Sequence, residues 1–255
     1  MNVSSLRRHK RMKFFVCAII CVFITMMLGY HYRLHLLWIC SRHRLGLDKS
    51  MPFQSCTMPY VPVPSTWIKH NQGNMVLFLP PEFHADDVTT DNPSVISGKR
   101  YQRETKTVFA SFPEDYRNLF EWTCTMYNIR LRSSISTLPM LRYECYRTAS
   151  TEFSWAMSPS DAYWYISCAI LNKAIRIMQD GKAELLFNDE IDGIAMIGSN
   201  GIVVFEWQCK KTSLGGYIHF HNGDESKTSD ADNDWIRAVC QSLKIVDSNN
   251  DIIKE

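Results

Sequence analysis

Three groups of residues in the sequence carry side chains that could do chemistry. His219 and His221 stand two apart in an apolar run, so on a strand both imidazoles leave the same face. Imidazoles at that spacing can share a metal ion, and Asp224, with Glu225 beside it, would supply a further ligand. The ordinary alternative is a polar strand face, with Phe220 turned to the apolar side. Asp230, Asp232 and Asp234 alternate as at the start of a calcium loop, but Trp235 stands where a glycine must turn the chain and Gln241 where a bidentate glutamate is needed. These acids read instead as local electrostatics at the start of the last helix, with Asp232 or Asn233 as its cap. Cys209 precedes Lys210 and Lys211, whose charges favour a thiolate, and the histidines of the following strand would supply a base. Yet Cys209 closes an apolar strand, IVVFEWQC, where a buried thiol or a disulfide is the commoner fate.

No glycine-rich phosphate loop, dinucleotide fingerprint, Gly-x-Ser-x-Gly or His-Glu-x-x-His is present. The sequence therefore predicts no catalytic residue, no bound metal and no cofactor. His219, His221 and Asp224 are the residues that an alternative, an anchored metal-dependent hydrolase, would use.

The elements that must position these residues are clearest in the second half of the chain. Ser158-Pro159-Ser160-Asp161 is a capping signal for a helix carrying Trp164, Cys168, Leu171, Ile175 and Met178 on one face and ending at Gly181. Strands follow at 183–187, 191–197, 202–209 and 216–221, with Asn200-Gly201 as a tight hairpin turn, and then a helix over 235–244. Upstream, 74–79 and 106–112 read as strands. Pro113-Glu114-Asp115 opens a helix with Tyr116, Leu119, Phe120 and Tyr127 on one face, and Leu141–Tyr146 reads as a strand after a turn at Pro139. Arg130, Arg132, Arg142 and Arg147 read as a solvated basic face, not a nucleic-acid site. The expected fold is α+β: an antiparallel sheet with packed helices, preceded by one N-terminal transmembrane helix.

That helix rests on sixteen uncharged residues from Phe14 to Gly29, including Ile20, Phe23 and Leu28. They span roughly 25 Å, and continuing the helix towards Cys40 would cover a bilayer core of about 30 Å. Met27 and Gly29, like Trp38 and Cys40, do not suit a signal-peptide cleavage site, so an uncleaved signal anchor is expected. Five basic residues precede the span and four follow it, a small bias that places the N-terminus in the cytoplasm. The predicted organisation is a basic arm at 1–13, a transmembrane segment at 14–32, a proline-rich tether at 33–66 that stays out of any sheet, an extracytoplasmic domain at 67–246, and a polar tail at 247–255.

Charge divides the same way. Residues 1–50 hold nine Lys and Arg against one acid, a net +8, whereas the other 205 residues hold 19 basic and 25 acidic side chains, a net −6. The 222–234 loop alone carries five acids and one lysine. With 45% hydrophobic and 21% charged residues the chain is neither disordered nor of low complexity. Beyond the membrane lie Cys56, Cys124, Cys145, Cys168, Cys209 and Cys240, enough for three disulfides in fifteen connectivities, with no Cys-x-x-Cys pair for zinc or redox exchange. No permitted Asn-x-Ser/Thr occurs there, which favours a bacterial envelope, with the chain in the inner membrane and its bulk in the periplasm.

An early strand ending in Leu79-Pro80, a central meander and a closing amphipathic helix that runs into Ser242–Ile245 together resemble the small α+β domains of the Mog1, PsbP and DcrB type over about residues 67–246. The resemblance implies a binding or assembly domain without catalysis and carries over no functional residue. Trp67, Trp122, Trp155, Trp164, Trp207 and Trp235 exceed what a core of this size demands; most of them read as core, and any left outside would serve protein recognition. The expected function is therefore non-catalytic binding of another envelope protein, as an immunity-type inhibitor or an accessory of an envelope complex, with the membrane as the other partner.

Overall fold

A computed structural model describes residues 3–45, 54–86, 98–175, 182–198, 202–221 and 233–246. The chain forms two compact units, one of Met1–Lys49 with Glu152–Ile166, the other of Ser50–Thr151 with Ser167–Glu255.

The first unit is built on helix α1, Val3–Leu45. Its Phe15–Cys40 stretch is long and apolar enough to cross a membrane or to act as a signal anchor. Most of its side chains are bare: Phe15 is 66% and Phe23 63% exposed, while Ile20 and Leu28 are also open. The one hydroxyl in the middle of this run, Thr25, donates to the Cys21 carbonyl and so leaves no unpaired polar group on the apolar surface. No proline or glycine interrupts 30–45, so the helix continues through the region read as the start of the tether. There it acquires a partner. His35 stacks on Trp155 at 5.3 Å, Trp38 meets Tyr165 edge-on at 5.1 Å, and Phe153 touches His35, Trp38 and Tyr165.

The second unit holds the sheets. Strands β1 (Gln54–Thr57), β2 (Ile68–Gln72), β3 (Met75–Leu79), β4 (His84–Asp86), β5 (Gly98–Arg103), β6 (Lys106–Ser111) and β7 (Glu114–Asp115) precede helices α2 (Tyr116–Met126), α3 (Leu138–Ala149) and α4 (Pro159–Ile175), α4 beginning in the first unit. Strands β8 (Lys182–Phe187), β9 (Ile191–Ile197), β10 (Ile202–Cys209) and β11 (Leu214–His221), helix α5 (Asp234–Ser242) and strand β12 (Lys244–Ile245) complete the order. The larger sheet runs β1-β8-β9-β10-β11-β6-β5-β4, with β7 beside the start of β11, and a smaller sheet runs β12-β3-β2. Among the described residues five helices and these mixed and antiparallel sheets make the fold α+β.

Three expectations are corrected. The large sheet is mixed, not purely antiparallel, because β1 pairs parallel to β8, Gln54 opposite Lys182. β1 lies inside the segment expected to stay out of any sheet. Its four residues fall between Pro52 and Pro59, which flank the strand and leave its own donors intact, and the edge position tolerates such neighbours. Met58 then enters the core, and Gln241 of α5 holds Val61 N–H and the Pro59 carbonyl at 2.9 and 2.7 Å, so the folded unit begins well before Trp67. Leu141–Tyr146 is helical. Pro139 lies in the first turn of α3, where its missing donor is harmless, and Leu138, Leu141 and Cys145 are buried at spacings of three and four. The Asn200-Gly201 turn, Gly181 and the 247–255 tail lie outside the described residues.

The two faces of the large sheet are covered differently. One packs Val108, Phe205, Trp207, Ile218 and Phe220 against Leu77 and Leu79 of the small sheet and Ile236 and Val239 of α5. The other lies under α3, where Tyr146 covers Ala183, Ile194, Met196 and Val204. Near the edge of that second face Gly215 lets the Tyr116 ring lie on the backbone. A Cβ there would fall 2.5 Å from the ring and 2.8 Å from the Trp207 carbonyl oxygen. Gly215→Ala is therefore expected to destabilise the protein by about 1–3 kcal/mol through overpacking. A thermal melt within a degree of wild type would contradict the close approach.

Candidate functional site

His219 and His221 leave the same face of β11, as their spacing requires, and both are exposed. Phe109 and Thr107 of β6 lie opposite them on one side, Val204 and Ile202 of β10 on the other. With Arg100 and Gln102 of β5 these residues border a cavity of about 300 Å³. Phe109 and Tyr217 flank the His219 ring at 6.4 and 4.9 Å, and partial desolvation lowers its pKa, which favours the neutral imidazole. A neutral imidazole can bind a metal, but among the described residues no three His, Cys, Asp or Glu side chains come together as a ligand set. Asp224, Glu225, Asp230 and Asp232 lie outside the described residues. Asp234 accepts a hydrogen bond from Arg237 at 2.8 Å, and Asn233 occupies the cap position of α5 without making a side-chain cap bond.

Cys209 is buried at the end of β10 and borders a hollow of about 100 Å³ with Glu190, Lys211 and Thr212. Among the described residues no histidine borders it, so none of them supplies the base that a nucleophilic thiol would need. Lys210 is engaged elsewhere, with Asp192 at 3.0 Å and the Asn188 carbonyl at 2.6 Å. All six cysteines beyond α1 are free thiols, with Cys145, Cys168, Cys209 and Cys240 buried and Cys56 exposed.

Buried ionisable groups join the helices to the sheet, among them Glu206, which no motif in the sequence marks. Glu206, inside the apolar run of β10, meets the guanidinium of Arg142 on α3 at 2.5 Å. Burial raises the Glu206 pKa, and Arg142 only partly offsets it. Burial by itself would lower the Arg142 pKa, but Glu206, Tyr146 and Tyr116 outweigh it and leave it raised. Desolvation pushes both Tyr146 and Tyr217 up to about 12. Arg142 is thus a buried ion-pair partner and not part of a solvated basic face, whereas Arg147 is exposed and paired with Glu144. On the opposite sheet face Glu184 receives two hydrogen bonds from Arg237 of α5. Asp192 accepts from the Thr137 hydroxyl at 2.8 Å, and Gln208 accepts from the Leu138 N–H at 2.9 Å, so the sheet itself caps the start of α3. Closed under helices, these groups act as clips between helix and sheet. Acids embedded in strands that otherwise read apolar were the available signal.

A surface of different character lies on α2. Tyr116 and Thr123 face inward with Phe120 and Tyr127 half-buried, so Leu119, expected inward, turns out instead. Leu119, Trp122 and Met126 follow at spacings of three and four and are 38%, 55% and 60% exposed. Leu131, beyond the helix end, is exposed as well. Of the other tryptophans noted, Trp164 and Trp207 are buried, Trp67 and Trp235 half-buried, and Trp155 is open on one side while packing on His35.

No protein-family model matches the chain, and no curated protein matches it in sequence. The likeness to Mog1, PsbP and DcrB type domains therefore rests on element order alone.

Proposed function

We propose that the protein is a single-pass membrane protein whose second unit binds another envelope protein without catalysing a reaction. The observation that carries this reading is the exposed Leu119, Trp122 and Met126 stripe on α2. A tryptophan and two long aliphatic side chains in one outward row are what a partner surface would desolvate, and aromatic anchors of this kind dominate binding energy. The acid-free basic arm before the span supports a cytoplasmic N-terminus, and the lack of an Asn-x-Ser/Thr signal beyond the span supports a bacterial inner membrane with the bulk of the chain in the periplasm. The partner is of the kind that an immunity-type inhibitor or an envelope-complex accessory would meet. The hydrolase alternative gains no support from His219 and His221, which have no third ligand among the described residues.

The test is a cross-linked pull-down of the full chain from membranes, comparing wild type with Trp122→Ala. Loss of an anchor worth about 2 kcal/mol weakens binding roughly thirtyfold. Because Trp122 is mostly solvated, the same change should alter stability by no more than about 0.5 kcal/mol. A partner captured equally well by both chains would remove α2 from the interface.

A further inference from the structure

Within the first unit, rings near the end of the apolar stretch of α1 hold the Glu152–Ile166 segment. Tyr32, His35 and Trp38 follow at spacings of three and so share one helix face. Their partners come in order along the helix. Trp155 lies 5.7 Å from Tyr32 and 5.3 Å from His35, Phe153 lies 5.1 Å from His35 and 5.5 Å from Trp38, and Tyr165 lies 5.1 Å from Trp38. The contact is dry: His35 is 0% exposed, and neither of its ring nitrogens has a hydrogen-bond partner among the described residues. Trp155, by contrast, is 50% exposed.

Depth along α1 follows from its rise. Phe14–Tyr32 contains no Lys, Arg, Asp or Glu, and at about 1.5 Å per residue it covers roughly 28 Å, close to a hydrocarbon core of about 30 Å. Lys13 and Arg33 bracket it. Tyr32 therefore stands at the edge of the core, and His35 and Trp38 lie roughly 5 and 9 Å further out, within and at the top of the headgroup layer. The order of the ring contacts makes Trp155 the deepest of the three partner rings, level with Tyr32 and His35.

We propose that the Glu152–Ile166 segment is a second membrane contact, with the Trp155 indole seated in zwitterionic phospholipid at the boundary between hydrocarbon and headgroups. The leaflet is the one that holds the C-terminal end of the span. This inference rests on the single-pass reading above. An indole joins an apolar body to one N–H donor, the combination that favours this boundary. The open part of the ring shares its depth with Leu36 and Leu37, which are 52% and 60% exposed on α1. Residues 152–166 hold no Lys or Arg, and anionic lipid would repel their two acids, Glu152 and Asp161. Neutral headgroups therefore fit, and the contact is insensitive to salt.

The test uses the full chain reconstituted in phosphatidylcholine vesicles. Tryptophan emission of wild type minus that of Trp155→Phe isolates the Trp155 signal, and phenylalanine keeps a ring against His35. That signal should lose most of its intensity when the lipid is exchanged for phosphatidylcholine brominated high on the acyl chain, with the same loss in high salt. A second arm places benzoylphenylalanine at position 155 and irradiates the full chain in its own membranes. Adducts to phospholipid support the inference, whereas adducts to another protein alone would show that a partner covers this position and would overturn it. Alkaline carbonate extraction of the vesicles separates this contact from the span it rests on. A chain that resists extraction while its Trp155 signal is undiminished by bromine keeps the span and overturns the second contact. A chain that carbonate strips from the vesicles overturns the span, and the inference falls with it.

Discussion

Glu206→Ala is expected to destabilise the folded chain by about 3–5 kcal/mol at neutral pH, read by chemical denaturation of the full chain in detergent. The cost arises less from a lost attraction than from what remains. Arg142 is 15% exposed, and its nearest anion is the Glu206 carboxylate at 2.5 Å. Deleting that carboxylate leaves a guanidinium under α3 with nothing to balance it. Replacing both partners, Arg142→Met with Glu206→Leu, removes the desolvation cost of both charges. The double variant should recover most of the loss and can equal wild type. A double variant no better than Glu206→Ala would show that shape, not charge, is what the pair supplies.

The same carboxyl sets a pH dependence whose sign follows from its raised pKa. From its ordinary value of 4.5 up to its raised value, the folded chain holds a proton that the unfolded chain has released. Glu206 therefore adds stability that is fully present below 4.5 and is lost as pH rises through that window, after which the contribution is level. The neighbouring tyrosines do not blur this, because Tyr146 and Tyr217 titrate near 12. Measured against Glu206→Gln, the wild-type advantage should shrink as pH rises from 4.5. An advantage that grew would mean that attraction to Arg142 outweighs burial.

Much of the second unit was legible because its elements obey one period each. IDGIAMI and IVVFEWQC are apolar runs interrupted only by Asp192, Gly193, Glu206 and Gln208, and they form adjacent central strands, β9 and β10, buried on both faces. The inward face of α5 follows Ile236, Val239, Cys240 and Leu243 as its spacing predicts. Errors arose where a short segment fits two periods. LRYEC alternates well enough for a strand, but Leu138 and Pro139 before it place Leu141 and Cys145 on a helical face, and only packing on the sheet decides between the two. β1 was unreadable for a different reason: four residues, QSCT, have no apolar pattern, and their pairing with β8 is a property of the edge they meet. The same holds for the site. That His219 and His221 share a face is local geometry, whereas the pairing of Glu206 with Arg142, 64 positions earlier in the sequence, depends on topology.

The second large effect is expected at Arg237. Its Nε and Nη2 donate to the two oxygens of Glu184 at 2.9 and 2.5 Å, while Nη1 donates to Asp234 at 2.8 Å. The side chain is 8% exposed and Glu184 is 3% exposed. The hydrogen bonds to Glu184 hold the Arg237 pKa well above that of an ordinary arginine. Arg237→Ala strands the Glu184 carboxylate in the core and should cost about 3–5 kcal/mol. Lysine keeps the charge but not the planar two-donor fork, so Arg237→Lys should recover only part of this. Asp234→Ala, at the solvated end of the network, should cost no more than about 1 kcal/mol. The loss at Arg237 is also expected to be uneven. α5 links the two sheets, because the Ser242 hydroxyl accepts from Phe78 N–H of β3 at 3.0 Å and β12 follows directly to pair with β3. Loosening α5 therefore releases the small sheet before the large one. In hydrogen exchange on Arg237→Ala, amides of α5 and β3 should lose protection ahead of those in β9 and β10. Equal loss across all four elements would mean that the Arg237–Glu184 clip stabilises the unit globally and does not specifically hold the small sheet in place.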